Sequence, residues 1–188
     1  MNHVTLKLFK LHPDVPTPTY GTSFAACFDL TFHPHGKWHV DGYNVSNAKV
    51  EFPINGGFVT INQGERILFP TGLIARMETP DNIANYSIRI HGRSGLALKN
   101  GIILANCEGV VDADYGHEIF VMLTNISDRP QHIRVGDRIA QAEIVKNEIA
   151  VFVETTEMFR PLSERNGGFG STGVNRADTV DYVRKDLV

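Results

Sequence analysis

The segment at residues 106–119 reads NCEGVVDADYGHEI and carries the least ordinary chemistry of this 188-residue chain. Its apolar pair is followed at once by two carboxylates and a phenol: Val110, Val111, Asp112, Asp114 and Tyr115. β-Branched residues favour strands, in which side chains two positions apart share a face. An extended segment would therefore point Asp112 and Asp114 the same way. Two such acids cost desolvation unless something uses them, so the segment is either a solvated strand end or part of a functional site.

Four further segments of unusual composition accompany the acidic one along the chain. They are AACFDL at 25–30, GRSGLA at 92–97, RIAQ at 138–141 and RNGGFGSTG at 165–173. Taken in order, the five segments resemble the five motifs of the trimeric dUTP pyrophosphatase (dUTPase) family, over roughly residues 22–173. The resemblance implies Mg²⁺-dependent hydrolysis of dUTP to dUMP and pyrophosphate by attack of water on the α-phosphorus. That reaction limits uracil in DNA and supplies dUMP for thymidylate synthesis.

Composition is that of an ordinary globular protein, with 42% hydrophobic and 21% charged residues. The length suits one domain with a sizeable core, and the net charge of −3 argues against a direct nucleic-acid partner. No apolar run is long enough to cross a membrane, and the first residues lack signal-peptide features. Cys27 and Cys107 lack metal-ligand spacing, which favours reduced thiols. We therefore expect a cytoplasmic protein, or one in the host cytoplasm if it is viral.

Short β-branched and aromatic runs punctuated by Gly, Pro and Asn predict an all-β fold. The runs lie at 49–54, 58–61, 66–69, 86–90, 119–125 and 142–153. Asn55-Gly56-Gly57 predicts a hairpin turn, Pro53 restricts its run to a sheet edge, and 94–100 is predicted as one short helix. The resemblance implies a distorted jelly-roll or β-clip barrel in a homotrimer. This domain would span 1–160, and 161–188 would form a flexible glycine-rich C-terminal arm and a polar tail.

The resemblance assigns the acidic segment to the base, the sugar and the nucleobase. Asp112 would hold the attacking water as general base; its structural alternative is an Asx-turn cap. Tyr115 would lie under the deoxyribose and leave no room for a 2′-hydroxyl. The segment would form a hairpin, and the uracil edge would be recognised by Asn106 on one arm together with backbone groups of the hairpin at Gly109, Val110 and Val111.

Two other motifs would bind the triphosphate. Arg93, Ser94 and Gly95 combine a guanidinium, a hydroxyl and close backbone approach at a helix start, although Ser94 could equally be an N-cap. Gln141 matches a family glutamine that contacts phosphate; its alternative is a buried strand-end residue. Asp29 matches a family aspartate, and because Mg²⁺ keeps several waters we expect it to act in the outer shell, through water.

The resemblance makes the C-terminal arm a lid contributed by a neighbouring subunit, so that three active sites are shared in the trimer. Phe169 would stack on uracil, and Arg165, Gly170 and Ser171 would close on the terminal phosphate. Several positions depart from the family pattern. Cys27 stands where glycine is common, Gly92 replaces a proline, Gly116-His117 alters the turn after Tyr115, and the spacing from Arg165 to Phe169 is one residue short.

An apparent insertion at about 33–62 carries three histidines and a tryptophan: His33, His35, His39 and Trp38. No cysteine or carboxylate completes a metal set at recognisable spacing. A surface hairpin is therefore favoured over a metal site, with a protein-binding hairpin as the alternative.

Two other functions remain open at the level of sequence. A dCTP deaminase shares this fold, and Glu108 could supply its proton shuttle beside the pyrimidine. A binding or regulatory protein could instead use the insertion to hold a macromolecular partner.

Overall fold

The computed structural model describes residues 4–160 and 162, and within them the chain is almost entirely β structure. The strands are β1 (Thr5–Lys10), β2 (Phe28–Thr31), β3 (His39–Tyr43), β4 (Lys49–Pro53), β5 (Phe58–Ile61), β6 (Arg66–Glu78), β7 (Tyr86–His91), β8 (Ile102–Leu104), β9 (Gly109–Asp112), β10 (Glu118–Asn125), β11 (Gln131–Arg134) and β12 (Arg138–Lys146). A 3₁₀ turn covers Ile83–Asn85, and one helix, α1, covers Ser94–Asn100. None of the described helices is long and apolar enough to cross a membrane. The prediction of an all-β fold with one short helix is confirmed.

The described strands form three sheets that do not close into a barrel. The largest has the order β4-β3-β6-β10-β8, with β1 also paired to β6. The second has the order β2-β12-β7-β9, and β11 pairs with β5 in the third. The second sheet matters most for function, because β2, β12 and β9 carry parts of the first, fourth and third motifs, and the second motif directly follows β7.

The core lies between these sheets and is built from β-branched and aromatic side chains. Phe32, Val59, Ile61, Ile67 and Phe69 are fully buried. Val59 and Ile61 belong to β5, so the last part of the 33–62 interval is integral to the core. The surface hairpin expected in this interval is β3–β4, and even that hairpin buries Val40 and Phe52.

The long strand β6 continues through Pro70 and Gly72, two residues that usually interrupt strands. Gly72 has a φ of 71°, and its N–H donates to the buried Glu118 carboxylate at 2.8 Å. The Thr71 hydroxyl donates to the Ile119 carbonyl at 2.7 Å, where the β10–β6 register shifts. These bonds satisfy the backbone at the irregularity. Sequence punctuation alone therefore underestimates the length of this strand.

The turn predicted at 55–57 forms, but the hairpin predicted around it does not, and the strand predicted at 142–153 has different bounds. Asn55 and Phe58 exchange backbone hydrogen bonds of 3.0 and 3.2 Å around Gly56-Gly57, whose φ angles of 59° and 79° suit a type I′ turn. However, β4 pairs with β3 and β5 with β11, so the turn changes sheets instead of joining a hairpin. Pro53 lies on the sheet-edge strand β4, as predicted. The run at 142–153 is wrong at both ends, because β12 begins at Arg138 and ends at Lys146.

The compact unit extends to Ile149, and the described residues after it contain no helix or strand. Within this second unit, Val151, Phe152, Val153, Met158 and Phe159 are all highly exposed. The apolar character of this stretch, which suggested a continuing strand, is therefore not used for burial in the described chain.

Candidate active site

The first, second and fourth motifs meet at one carboxylate, Asp29. Asp29 lies on β2 opposite Gln141 of β12, and Gln141 in turn lies opposite His91 at the end of β7. The Arg93 guanidinium donates to one Asp29 oxygen, and Arg138 donates to the other at 3.0 Å. The side chain of Asp29 is only 15% exposed. Asp29 is therefore the shared counter-ion of two arginines.

Arg93 is partly buried, and its pKa is lowered by that burial and by the nearby positive charge of Arg138. Both effects oppose the charged form, and the Asp29 carboxylate offsets them. The cluster keeps two guanidinium groups together beside a single acid, leaving a local excess of positive charge. Such a place suits an anion, even though the whole chain is slightly acidic.

An open groove of about 410 Å³ adjoins this cluster. Its lining includes Gly92, Arg93, Ser94, Gln141 and Cys107. The Gln141 amide donates to the Gly92 carbonyl at 3.1 Å and so fixes the loop before α1. The N-cap of α1 is Arg93, without a side-chain capping bond, so the exposed Ser94 hydroxyl is not a cap. Ser94 and its neighbour Gly95 are instead available to a ligand in the groove.

The acidic segment starts as predicted and then bends earlier than predicted. β9 ends at the exposed Asp112, and the Tyr115 N–H donates to the Asp112 carbonyl at 3.1 Å across a turn. Asp114 lies in that turn, so the strand geometry that would align it with Asp112 does not extend so far. The Tyr115 hydroxyl donates to the Glu118 carbonyl at 2.9 Å and fixes a ring that is 38% exposed.

Asn106 lies in the tight turn before β9, next to Cys107, whose φ is 61°. The sequence suggested that Asn106 and the Gly109, Val110 and Val111 backbone form two arms of one hairpin. That expectation is wrong, because β8 pairs with β10 and β9 pairs with β7. The turn connects two sheets, and Val110 is exposed whereas Val111 is buried.

The two parts of the candidate site lie at opposite ends of β7. Asp112 pairs with Ser87 at the start of that strand, whereas Arg93 and Ser94 follow His91 at its end. His91 lies four residue steps along the strand from Ser87, which corresponds to about 14 Å at the usual rise. The base candidate and the phosphate cluster of one chain are therefore too far apart to act on neighbouring atoms of one substrate.

The arm residues Arg165, Phe169, Gly170 and Ser171 lie outside the described part of the chain.

Two residues without an assigned role gain one from the structure. Arg138, inside the RIAQ segment, is the second partner of Asp29, and Glu118 anchors the Gly72 irregularity next to the acidic turn. The deaminase candidate Glu108 is engaged by Arg89 at 3.1 Å.

The histidine-rich interval differs from expectation in one respect. His39 has two carboxylates beside it, Asp41 on its own strand and Glu51 across the β3–β4 ladder, with ligand atoms within 4.8 Å of one another. Linear spacing could not reveal this group because Glu51 arrives through strand pairing. Both carboxylates are exposed to solvent. His35 instead contacts the buried Glu118 at 3.1 Å.

Comparison with known proteins decides the family. A family model described as dUTPase matches residues 57–173. A Helicobacter pylori protein named deoxyuridine 5'-triphosphate nucleotidohydrolase is 34% identical over 172 residues, covering 92% of this chain and 99% of the relative. The chain belongs to the dUTPase family.

Solved dUTPase structures share the fold. A dUTPase of Staphylococcus bacteriophage 80alpha, determined with dUpNHpp, has a TM-score of 0.65 at 19% identity and covers 90% of this chain and 99% of its own. A dUTPase from phage phi11 of S. aureus, whose structure contains a structural Mg(II) ion, has a TM-score of 0.59 at 16% identity, covering 81% and 97% respectively. The jelly-roll prediction for this dUTPase-family chain is thereby confirmed at the level of fold.

Proposed function

We propose that the protein is a dUTP diphosphatase, which hydrolyses dUTP to dUMP and pyrophosphate through attack of water on the α-phosphorus. The observation that carries the proposal is that Arg93 and Gln141, from two separate motifs, line one groove, while Asp29, from a third motif, holds Arg93 in place beside it. Membership of the dUTPase family indicates that the substrate is dUTP. The product dUMP would feed thymidylate synthesis, and removal of dUTP would limit uracil in DNA.

The phosphate cluster would bind and orient the triphosphate. Arg93 and Arg138 offer N–H donors in a planar array, which suits phosphate oxygens. Asp29 holds both guanidinium groups, so their positions are set before substrate arrives. Ser94 and Gly95 add a hydroxyl and close backbone approach, and Gln141 holds the loop that carries them. Preset donors of this kind stabilise charge that develops on the phosphates.

Asp112 would act as general base on the attacking water. Its carboxylate is exposed at the end of β9, where a bound water and a substrate phosphate could both reach it. The neighbouring turn is held by backbone and Tyr115 hydrogen bonds, which limit movement of the base. The Tyr115 ring would form the floor under the deoxyribose and exclude a 2′-hydroxyl by contact. Asn106 and the β9 backbone would read the uracil edge.

Mg²⁺ is the cofactor we propose, and the donor set limits how Asp29 could serve it. Both Asp29 oxygens already accept hydrogen bonds from arginines, so a direct metal bond would compete with those partners. An outer-shell contact through water fits this environment, and Mg²⁺ commonly keeps several waters while it neutralises substrate phosphates.

We propose a homotrimer in which each site is shared between subunits. The separation of about 14 Å between the base and the phosphate cluster along β7 supports this arrangement. A neighbouring chain would bring its Asp112 and Tyr115 to the groove beside Arg93. The arm, with Arg165, Phe169, Gly170 and Ser171, would then close over the substrate.

The test is release of pyrophosphate from dUTP, dCTP, dTTP and UTP, with Mg²⁺ and with a chelator. The proposal predicts rapid Mg²⁺-dependent release from dUTP alone. Ammonia release from dCTP would instead support the deaminase, and no turnover of any nucleotide would contradict an enzymatic function.

A further inference from the structure

A cysteine, a histidine and a glutamate meet on the face of the second sheet that carries the phosphate cluster. Glu143 lies on β12 two residues after Gln141, Cys27 immediately precedes β2, and His91 ends β7. Their ligand atoms all lie within 4.8 Å of one another, and all three side chains are partly buried. Two adjacent strands, β7 and β12, and the residue just before β2 thus each contribute one potential metal ligand.

The three ligand types indicate which ion would fit. A thiolate, an imidazole and a carboxylate suit Zn²⁺, whereas Mg²⁺ prefers oxygen ligands. The His91 Nε2 is already 3.1 Å from a Glu143 oxygen. Zinc bonds are about 2.0–2.3 Å long, so small side-chain movements would bring all three atoms around one ion. Water would complete a tetrahedral site.

A second carboxylate lies near the other ring nitrogen of the histidine, beyond hydrogen-bond distance. The His91 Nδ1 lies 3.7 Å from one oxygen of Glu108, while the other Glu108 oxygen accepts from Arg89 at 3.1 Å. Metal-bound histidines almost always donate a hydrogen bond from the N–H of the second ring nitrogen to a carboxylate or carbonyl group, which fixes the tautomer. Glu108 is placed to do this, because Nε2 faces Glu143 and Nδ1 faces Glu108.

We propose that Cys27, His91 and Glu143 form a Zn²⁺ site that links β2, β7 and β12, with Glu108 as the residue that positions His91. The site is separate from the proposed catalytic Mg²⁺, since it uses none of the residues assigned to substrate. It would hold together the strands that carry Asp29 and Gln141, and so would strengthen the framework of the phosphate cluster.

Zinc would displace the proton of the Cys27 thiol as the Zn–S bond forms, and that proton would pass to solvent.

The test measures metal binding directly on the intact protein. Purified protein, reduced and stripped with chelator, is titrated with Zn²⁺ by calorimetry and with Co²⁺ by absorption spectroscopy. We expect one ion per chain and a thiolate-to-Co²⁺ charge-transfer band. Cys27→Ser should abolish that band, and Glu108→Gln should weaken Zn²⁺ binding about 10- to 100-fold.

Cys107→Ser is the matched control, because Cys107 is the second free cysteine of the chain and lies outside the ligand group. It should leave stoichiometry and spectrum unchanged. Circular dichroism would establish that each variant is folded, and failure of the hydrolysis proposal would leave these binding measurements intact. Absence of zinc binding in the wild type, or binding unaffected by Cys27→Ser, would overturn the proposal.

Discussion

Replacing Asp29 by alanine should both destabilise the protein and weaken substrate binding. The Arg93 hydrogen bond is charge-assisted and largely shielded from solvent, so its loss should cost about 1.5–3 kcal/mol. The Arg138 side chain is 58% exposed, and its ion pair should contribute only about 0.2–1 kcal/mol. We therefore expect the free energy of unfolding to fall by about 2–4 kcal/mol. Asp29→Asn, which keeps one acceptor oxygen, should lose about half as much.

The functional consequence follows from the same contacts. Without Asp29, Arg93 and Arg138 repel each other and no longer hold a fixed position at the groove. A loss of 1.4 kcal/mol in transition-state binding is tenfold in kcat/KM, and we expect kcat/KM for dUTP to fall at least about tenfold. The exposed Asp128→Ala is the matched control, since its contact with Arg129 is 3.9 Å long and solvent-exposed.

Thermal unfolding at one fixed protein concentration and steady-state kinetics measure the two effects. For a chain of this size each kcal/mol shifts Tm by about 2–4 °C, so Asp29→Ala should melt about 4–16 °C lower. The concentration is fixed because the stability of an oligomer depends on it. If Asp29→Ala matched Asp128→Ala in both Tm and kcat/KM, the role of Asp29 as shared counter-ion would be refuted.

Two further predictions concern the base and the packing of the largest sheet. Asp112→Asn should lower kcat by about 100-fold or more, because the general base is lost. The affinity for dUTP, measured by calorimetry, should stay near the wild-type value. Near-normal turnover would contradict the base assignment. Gly42→Ala should destabilise the protein by about 1–3 kcal/mol in urea unfolding, because its Cβ would lie 2.4 Å from the Arg66 carbonyl oxygen. Gly21→Ala, whose Cβ meets nothing within 4 Å, is the control and should unfold as the wild type does.

A role for the histidine-rich interval in binding a partner should be tested by a point substitution on its surface and not by deleting the interval. Removing the interval would take away Val40, Phe52, Val59 and Ile61 from the core, so loss of activity would report unfolding. Trp38 is 67% exposed on this hairpin, and replacing it alters the surface while leaving the core intact.

Local signals predicted the elements that local chemistry controls. The strand Phe58–Ile61 and the helix Ser94–Asn100 have the bounds expected from sequence, because alternation and the left-handed Gly101 terminate them locally. The edge position of Pro53 follows from its missing N–H. By contrast, the length of β6 depends on Glu118 and Thr71, whose bonds to the Gly72 irregularity come from strand pairing.

In the candidate site, too, some features follow from local sequence and others depend on strand pairing. The motifs predicted that Asp29, Arg93 and Gln141 belong to one site, and in the structure these residues are neighbours. Sequence reasoning did not foresee that Asp29 binds both Arg93 and Arg138, since that requires three strands to be in register. It also could not find the Cys27, His91 and Glu143 group, because these residues become neighbours only through the β2-β12-β7 order.

The most direct test of the shared active site is complementation between two inactive variants. Asp112→Asn lacks the base, and Ser94→Ala removes a donor at the phosphate groove of the same chain. If every site combines these parts from different subunits, refolding an equal mixture should restore about one quarter of wild-type activity, because one quarter of the sites draw both intact parts. Activity that stays at the average of the two separate variants would contradict the shared site and place both parts within one chain.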